Sequence, residues 1–321
     1  MTPSASNAAG SARAPLRRRL RARLVPGLAG VLCRLPTPAV TPLLRAAGVC
    51  ARGSRAAAIA RQQLAATAPF AGWDAAVVRA LERGVELHAV DQLAQVLRLA
   101  GGGGGGWLED EVRLASGAEH LESAERGGVV IATLHIGHWE VLAAWLRRRG
   151  LDGAVIGRGG AAGDWLARVR ALHGVQTIPQ DASARVPLEV LRRGGTLGVL
   201  CDLDTRQLDG IHLPFLGRDA LTMTAPAALA RASGRPILPA CCLRAPSGGF
   251  EVHVAEPLAP PTRGARSEEL VQALSQINAQ FERWILEAPE QWAWHQPRWR
   301  TRPGEDTGRA DPDRRREKGS R

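Results

Sequence analysis

The second half of the chain alternates between short apolar runs rich in β-branched residues and longer amphipathic segments. Val129–Leu134 is a continuous apolar run that predicts a buried strand, and Trp139–Arg148 has helical periodicity and ends before Gly150. Further strands are predicted at 154–156, 175–178, 197–201, 237–243 and 250–254, and further helices at 120–124, 165–172, 186–192, 221–232 and 267–286. Strands that alternate with helices predict an α/β fold with a mixed, mostly parallel sheet flanked by helices.

The first hundred residues have a different composition. Residues 38–100 are rich in alanine, leucine and arginine, and the apolar positions from Val77 to Leu97 predict one long amphipathic helix. Six consecutive glycines follow, which predict a flexible linker. The predicted regions are a basic disordered N-terminus (1–23), a membrane-proximal helical region (24–100), a glycine linker (101–106), the α/β core (107–300) and a disordered charged tail (301–321).

The formal net charge of +11 limits the classes of partner. It favours an anionic membrane surface or an acidic carrier protein, although a generally basic protein would have the same charge. Nucleic acid is disfavoured, because aromatic residues make up only 4% of the chain, tyrosine is absent and there is no zinc-finger spacing. Five cysteines without CxxC spacing predict unpaired thiols in a reducing compartment.

A basic segment followed by an apolar one lies near the N-terminus. The apolar run from Leu24 to Cys33 has about half the length that a membrane span needs, and Pro26 and Gly27 break it. The order of charge and apolar run is that of a signal peptide, but we favour an interfacial segment. The alternative is a basic tail before an ordinary first helix. The interfacial interpretation places six arginines on anionic headgroups (Arg13, Arg17, Arg18, Arg19, Arg21, Arg23) and six apolar side chains in the bilayer (Leu24, Val25, Leu28, Val31, Leu32, Leu35).

The segment His135-Ile136-Gly137-His138-Trp139-Glu140 joins a predicted strand to a predicted helix. A separation of five residues puts His135 and Glu140 on different faces of a regular helix, and on opposite faces of a regular strand. The two side chains can meet only across the turn at Gly137. His135 would then lie at the carboxyl end of a strand, where open α/β sheets bind their ligands.

A histidine held by a carboxylate is a general base with a fixed tautomer. We therefore predict that Glu140 orients His135, which takes a proton from an acceptor hydroxyl. No Gly-x-Ser-x-Gly elbow accompanies the pair, so direct transfer is favoured over a covalent acyl-enzyme. Backbone amides at the start of the Trp139 helix are candidate donors to an oxyanion.

Two other interpretations remain open for this segment. His135, His138 and Glu140 are conceivable metal ligands, but they are not in an H-E-x-x-H frame and a fourth ligand is lacking, so no metal is predicted. His135 is otherwise a core histidine, and Glu140 a carboxylate favoured by the dipole of the helix start.

The motif resembles the H-x-G-N-W-E form of the His-x4-Asp/Glu motif of the lysophospholipid acyltransferase superfamily. It is most similar to the branch of the bacterial lipid A lauroyl and myristoyl acyltransferases, which includes mannosylated-phosphoinositide acyltransferases. The resemblance extends over roughly 55–303. Its further blocks are AVIGRGG, the segment from LGVLCDLDTR to SGRPILPA, and the ending PEQWAWHQPRWRTRP.

This resemblance implies transfer of a fatty acyl group from an acyl carrier protein or coenzyme A thioester to a hydroxyl of a membrane lipid. It implies that His135 is the base and Glu140 its partner. It further implies that Arg158 lies by a phosphate or the reacting carbonyl, and that Asp202 and Asp204 line the acceptor site. Phe215, Gly217 and Thr222 fall in the acceptor and acyl-tunnel region, whereas Trp292, Trp294, Arg298, Trp299 and Arg300 suit an interfacial belt.

The sequence thus predicts a membrane-associated O-acyltransferase at the cytoplasmic face of the inner membrane, with a lipid A precursor-like acceptor and no resident cofactor. One rival is a hydrolase that uses the same pair on an acyl ester or thioester. Another is a basic, non-catalytic protein that binds membranes peripherally.

Overall fold

The computed structural model describes residues 27–101, 105–125, 127–204, 209–262 and 267–304. Several predictions lie outside these residues: the arginines of the N-terminal segment, Leu24 and Val25, the middle of the glycine linker, and the charged tail from residue 305.

Helices form the N-terminal part of the described chain. A short helical stretch at 27–32 is followed by α1 (Thr37–Cys50), α2 (Arg55–Ala71) and α3 (Ala75–Ala100). The Asp74 carboxylate begins α3, because it accepts hydrogen bonds from the amides of Ala76 and Val77 at 2.7 and 2.8 Å. The long amphipathic helix predicted from Val77 to Leu97 is therefore confirmed. No helix in the described part of the chain is both long and apolar enough to cross a bilayer.

The strands and the other helices alternate after residue 107. The strands are β1 (Val112–Ser116), β2 (Val129–Thr133), β3 (Gly153–Gly157), β4 (Gln176–Pro179), β5 (Thr196–Leu200), β6 (Gly210–Phe215), β7 (Arg218–Met223), β8 (Ile237–Arg244) and β9 (Phe250–Val254). The helices are α4 (Trp107–Glu111), α5 (Ala118–Glu125), α6 (Trp139–Arg148), α7 (Ala161–Leu172), α8 (Arg185–Arg192), α9 (Ala225–Ser233) and α10 (Ser267–Glu287).

Seven strands form one sheet in the order β1-β9-β8-β2-β5-β3-β4. Neighbouring strands are parallel except β8 and β9, which are antiparallel. All five residues of the central strand β2 are buried, as expected for a parallel strand that helices cover on both faces. The predicted mixed, mostly parallel α/β fold is confirmed.

The structure differs from the prediction between residues 210 and 232. A helix was predicted from Leu221 to Ala232, but Leu221–Met223 completes β7, which pairs with β6 in a separate two-stranded hairpin. The helix α9 begins only at Ala225. Pro226 lies in its first turn, where the fixed φ of proline is compatible with a helix and its missing amide proton costs nothing. The apolar residues of β7 had been assigned to the helix that follows them.

Candidate active site

His135 and Asp202 lie side by side at the carboxyl edge of the sheet. β2 and β5 are parallel neighbours, and Thr133 at the end of β2 is in register with Leu200 at the end of β5. His135 and Asp202 each follow the last residue of their strand by two positions. The sheet therefore brings together two residues that are far apart in the sequence, at the edge where α/β proteins bind ligands.

The Asp202 carboxylate is the hydrogen-bond partner of the His135 imidazole. Its Oδ1 lies 2.7 Å from Nδ1 of His135, and its Oδ2 accepts the backbone N–H of the same residue at 2.9 Å. Oδ2 also accepts the indole N–H of Trp292 at 2.8 Å. The Asp202 side chain is fully buried, whereas 18% of the His135 side chain is exposed. The histidine is thus anchored on one side and open on the other.

The protonation state of Asp202 determines the tautomer of His135. Burial by itself raises the pKa of the Asp202 carboxyl. The charge and hydrogen bonds of His135 and the hydrogen bond from the Trp292 indole lower this pKa by more than burial raises it, so the pKa is below its usual value. Asp202 is then an ionised carboxylate that can only accept hydrogen bonds. In the neutral form of the ring, Nδ1 of His135 therefore carries the proton, and Nε2 has a free lone pair.

The turn after His135 depends on a glycine. Gly137 has a φ of +55°, and a Cβ at this position would lie 2.0 Å from the backbone oxygen of Cys242. The turn is fastened by backbone hydrogen bonds from Gly137 N–H to the Gln291 carbonyl at 2.9 Å and from His138 N–H to the Cys242 carbonyl at 2.7 Å. A side chain at this residue would push the turn away from β8 and displace His135.

The predicted contact between Glu140 and His135 is not present in the structure. The Glu140 carboxylate lies in the first turn of α6 and accepts two hydrogen bonds from Arg170 of α7, at 2.6 and 2.8 Å. Both side chains are buried, so each charge needs the other as its partner. The expected hydrogen bond to His135 is replaced by this ion pair, and the ring partner is Asp202. Trp139, the residue before Glu140, contacts the His135 ring edge-to-face, with ring centroids 4.9 Å apart.

The three metal ligands considered from sequence are dispersed in the structure, because His138 faces neither His135 nor Glu140. Its Nε2 lies 3.1 Å from the Asp91 carboxylate of α3, and its ring packs edge-to-face on His88 with centroids 5.1 Å apart. Among the described residues His88, Asp91 and His138 form the group whose ligand atoms could converge on a metal ion. However, Arg244 binds both Asp91 oxygens at 2.6–2.9 Å, and its positive charge would repel a metal cation.

Two other predicted polar site residues, Arg158 and Asp204, differ in burial. Arg158 is exposed and follows β3 directly, so it shares the carboxyl edge of the sheet with His135. Asp204 is buried and holds Thr301, whose backbone N–H and hydroxyl donate to its carboxylate at 2.5 and 2.9 Å. The structure therefore gives Asp204 a local structural role, while a role in substrate binding stays a prediction for both residues.

Phe215 and Thr222 lie on the two strands of the hairpin, and both side chains are buried. The Phe215 ring is fully buried and lies under the guanidinium of Arg298, 4.7 Å from its Cζ. The Thr222 hydroxyl accepts hydrogen bonds from Arg298 and Asn278, both at 3.1 Å. Burial lowers the pKa of Arg298 to about 10. These contacts show how both residues pack, and their predicted contact with substrate stays a prediction.

The predicted belt of C-terminal tryptophans and arginines is wrong for three of its five members. Trp292, Trp294 and Arg298 are at most 1% exposed, so they cannot lie at the depth of lipid headgroups. The segment instead closes the core: Trp292 binds Asp202, and the Trp294 indole donates to the Pro289 carbonyl at 2.6 Å. These two indoles can be buried because each N–H has a hydrogen-bond acceptor.

Sequence reasoning missed three contacts that shape the site: those of Asp202 with His135, of Arg170 with Glu140, and of Trp292 with Asp202. One signal was present in the sequence, because Asp202 follows an apolar strand at the same offset as His135. That signal needs the strand order, since β3 and β4 lie between β2 and β5 along the chain and not between them in the sheet.

Comparison with known proteins shows which family the chain resembles. Residues 88–301, two thirds of the chain, match the family model described as bacterial lipid A biosynthesis acyltransferase. A phosphatidylinositol mannoside acyltransferase of Mycobacterium tuberculosis is 28% identical over 196 residues, which are 58% of this chain and 60% of that protein. A lipid A biosynthesis lauroyltransferase of Escherichia coli is 26% identical over 211 residues, which are 61% of this chain and 66% of that protein.

The matched stretches span less than two thirds of the length of these relatives. The family match, in contrast, covers the whole site, from α3 through the His135 turn and Asp202 to Thr301. The chain belongs to the bacterial lipid A biosynthesis acyltransferase family.

Proposed function

We propose that this protein is a membrane-associated O-acyltransferase. It moves a fatty acyl chain from a thioester of acyl carrier protein or coenzyme A to a hydroxyl of a membrane glycolipid. The observation that carries the proposal is the anchored, partly exposed His135 with its buried Asp202, at the ligand-binding edge of a sheet in a chain of this family. The names of the two relatives, a phosphatidylinositol mannoside acyltransferase and a lipid A lauroyltransferase, support the acceptor class.

The proposed reaction uses Nε2 of His135 as general base. It takes the proton of the acceptor hydroxyl while that oxygen attacks the thioester carbonyl carbon. The tetrahedral intermediate collapses with cleavage of the carbon–sulfur bond, and the imidazolium returns the proton to the leaving thiolate. Asp202 stabilises the imidazolium and keeps Nδ1 protonated throughout, as the acid member of a triad does. All proton movements are made by one imidazole, so the proposed chemistry requires no resident cofactor.

The start of α6 supplies the oxyanion donors in this proposal. The helix begins at Trp139, whose ring contacts His135, and in this proposal the reacting carbonyl is bound beside the amides of its first turn. Glu140 lies in that turn, and its buried ion pair with Arg170 fixes the turn to α7. We therefore propose that Glu140 serves catalysis by positioning the helix start rather than by polarising His135.

Exposed apolar side chains in the N-terminal region support action at a membrane surface. Leu28, Val31 and Leu35 are 61%, 58% and 44% exposed, and all three are among the residues expected to dip into the bilayer. The positive net charge would attract anionic lipids and an acidic carrier protein. We place the enzyme at the cytoplasmic face of the inner membrane.

An acyl-transfer assay tests the proposal. The full chain in anionic lipid or mild detergent is given radiolabelled acyl carrier protein thioester or acyl-coenzyme A. The acceptors are a lipid A precursor, lysophospholipids and phosphatidylinositol mannoside. We expect a labelled lipid with the wild type and loss of at least about 10²-fold in rate with His135→Ala.

Two outcomes would contradict the proposal. Free fatty acid that depends on His135, without any acylated lipid, would identify a hydrolase. Membrane binding without any His135-dependent reaction on any donor would identify a non-catalytic binding protein.

A further inference from the structure

An open groove of about 590 Å³ lies between the three N-terminal helices. Its walls consist mainly of small apolar residues, among them Ala47 of α1, Ala57 and Ala60 of α2, and Ala89 of α3. This volume is within the usual range for pockets that bind small molecules, and the small alanine side chains on all three helices leave room for extended hydrocarbon. The groove is separate from the sheet edge that carries His135 and Asp202.

The groove leads to the candidate active site. Val85, Ala89 and His295 line both the groove and a narrow cleft that His135 also lines. His295 and His135 line the same cleft, and burial, with an electrostatic contribution from His135, lowers the pKa of His295. A lipid whose chains lie in the groove would therefore present its headgroup next to His135.

Exposed apolar residues lie on two of the helices that form the groove. Leu43 and Val49 of α1 and Leu87 and Leu93 of α3 are 46–56% exposed. Exposed apolar side chains concentrated on one set of helices are typical of a surface that contacts a membrane. A groove between these helices can exchange hydrocarbon with the bilayer without passing it through water.

The rim of the groove carries charges of both signs with a positive excess. Arg52, Arg61 and Arg83 line it together with Glu82 and Glu86, and Arg52 is paired with Glu86 at 2.7 Å. Arg83 is exposed on α3. This rim is suited to a lipid that bears an anionic headgroup above apolar chains.

We propose that this groove holds the hydrocarbon chains of the acceptor lipid. The inference rests on the proposed function and adds to it the place where the acceptor binds. The acceptor is favoured over the donor because it resides in the bilayer, onto which the groove opens, whereas the donor chain arrives on a water-soluble thioester. The helices thus hold the acceptor by its chains, and the sheet edge holds its hydroxyl.

A pair of substitutions on α2 tests the proposal. Ala57→Phe fills the groove, whereas Ala58→Phe adds the same ring at the neighbouring exposed position, which does not line it. The acceptors are phosphatidylinositol mannoside and the water-soluble headgroup that remains after its deacylation. We expect Ala57→Phe to lower the ratio of kcat/KM for the lipid to kcat/KM for the headgroup at least ten-fold, and Ala58→Phe to leave this ratio as in the wild type.

Three kinetic results would overturn the proposal: an unchanged ratio in Ala57→Phe, the same loss in both variants, or an altered donor chain-length preference with an unchanged acceptor ratio. The last result would assign the groove to the donor chain. Circular dichroism and thermal unfolding of both variants show whether the ring at position 57 perturbs the fold.

A binding measurement separates this proposal from the proposed function, because it needs no turnover. The protein is bound to phosphatidylglycerol vesicles that contain a phospholipid with a diazirine in one acyl chain, irradiated and mapped by mass spectrometry. We expect labels on groove residues such as Ala47 and Ala89 in the wild type, and their loss in Ala57→Phe while labels near Leu43 persist. Label near Leu43 alone, in the wild type, would show that lipid does not enter the groove, whether or not the protein transfers acyl groups.

Discussion

Asp202 binds His135 at two points, through Nδ1 of the ring and through the backbone N–H. The two contacts restrict both the rotation of the imidazole and the position of its backbone. A third donor, the Trp292 indole, keeps the carboxylate itself in place. The geometry of the proposed base is therefore set by one buried side chain from a neighbouring strand.

Replacement of Asp202 by asparagine tests this relationship. The amide oxygen can still accept from the Trp292 indole or the backbone, but the NH₂ group then faces Nδ1 and favours the tautomer with the proton on Nε2. We expect the kcat for acyl transfer to fall about 10²- to 10⁴-fold. Asp152→Asn, at an exposed aspartate on the opposite edge of the sheet, is the control and should keep wild-type kinetics. Wild-type kcat in Asp202→Asn would mean that the carboxylate does not determine the tautomer.

The Glu140–Arg170 ion pair predicts a loss of stability from either single substitution. Glu140→Gln or Arg170→Met leaves one buried charge without its partner, and we expect the free energy of unfolding to fall by about 3–5 kcal/mol. The double variant Glu140→Gln/Arg170→Met should recover part of this loss, because no unpaired charge remains. Urea unfolding of the four proteins measures the coupling. Additive losses would show that the two side chains do not stabilise the fold as a pair.

The turn at Gly137 predicts a cost for a single added methyl group. Gly137→Ala combines a positive φ with a Cβ that would clash with the Cys242 oxygen, so we expect a loss of about 3 kcal/mol in stability and reduced transfer. Gly150→Ala is the matched control, because Gly150 also has a positive φ but a Cβ there meets nothing within 4 Å. We expect it to cost about 1 kcal/mol. Equal losses in thermal unfolding would indicate that the backbone conformation, and not the contact with β8, determines the need for glycine.

The buried His88 predicts a dependence of stability on pH. Burial, with a contribution from His138, lowers the pKa of His88 to about 3, against about 6.5 in the unfolded chain. Between these values the unfolded state binds the proton and the folded state does not, so stability falls as the pH falls below 6.5. From pH 7 to pH 5 we expect this one group to remove about 2 kcal/mol.

His88→Gln removes this titration while it keeps a donor for the Gly137 carbonyl, which the His88 ring contacts at 3.2 Å. Urea unfolding at pH 5.0 and 7.0 should show a smaller pH effect in the variant than in the wild type. The same pH effect in both proteins would contradict the assignment of a neutral, buried His88.

The local sequence was sufficient for most of the fold. Periodicity predicts the helices α3 and α6, because each buries one apolar face. It also predicts the strand β2, whose continuous apolar run is buried on both faces. The hairpin of β6 and β7 was missed, because the apolar residues at the end of β7 run directly into the helix after Thr224. At short apolar runs, periodicity does not distinguish a strand from the first turn of a helix.

The sequence by itself determined that His135 follows a strand, that Gly137 makes the turn and that Glu140 begins a helix, because these depend on neighbours along the chain. Only the tertiary structure decided which acid each group meets. β5 lies next to β2 although two other strands separate them in the sequence, and this order brings Asp202 to His135. Glu140, five residues from His135, is held by Arg170 instead, since a buried carboxylate needs the nearest cation and the packing of α7 supplies it.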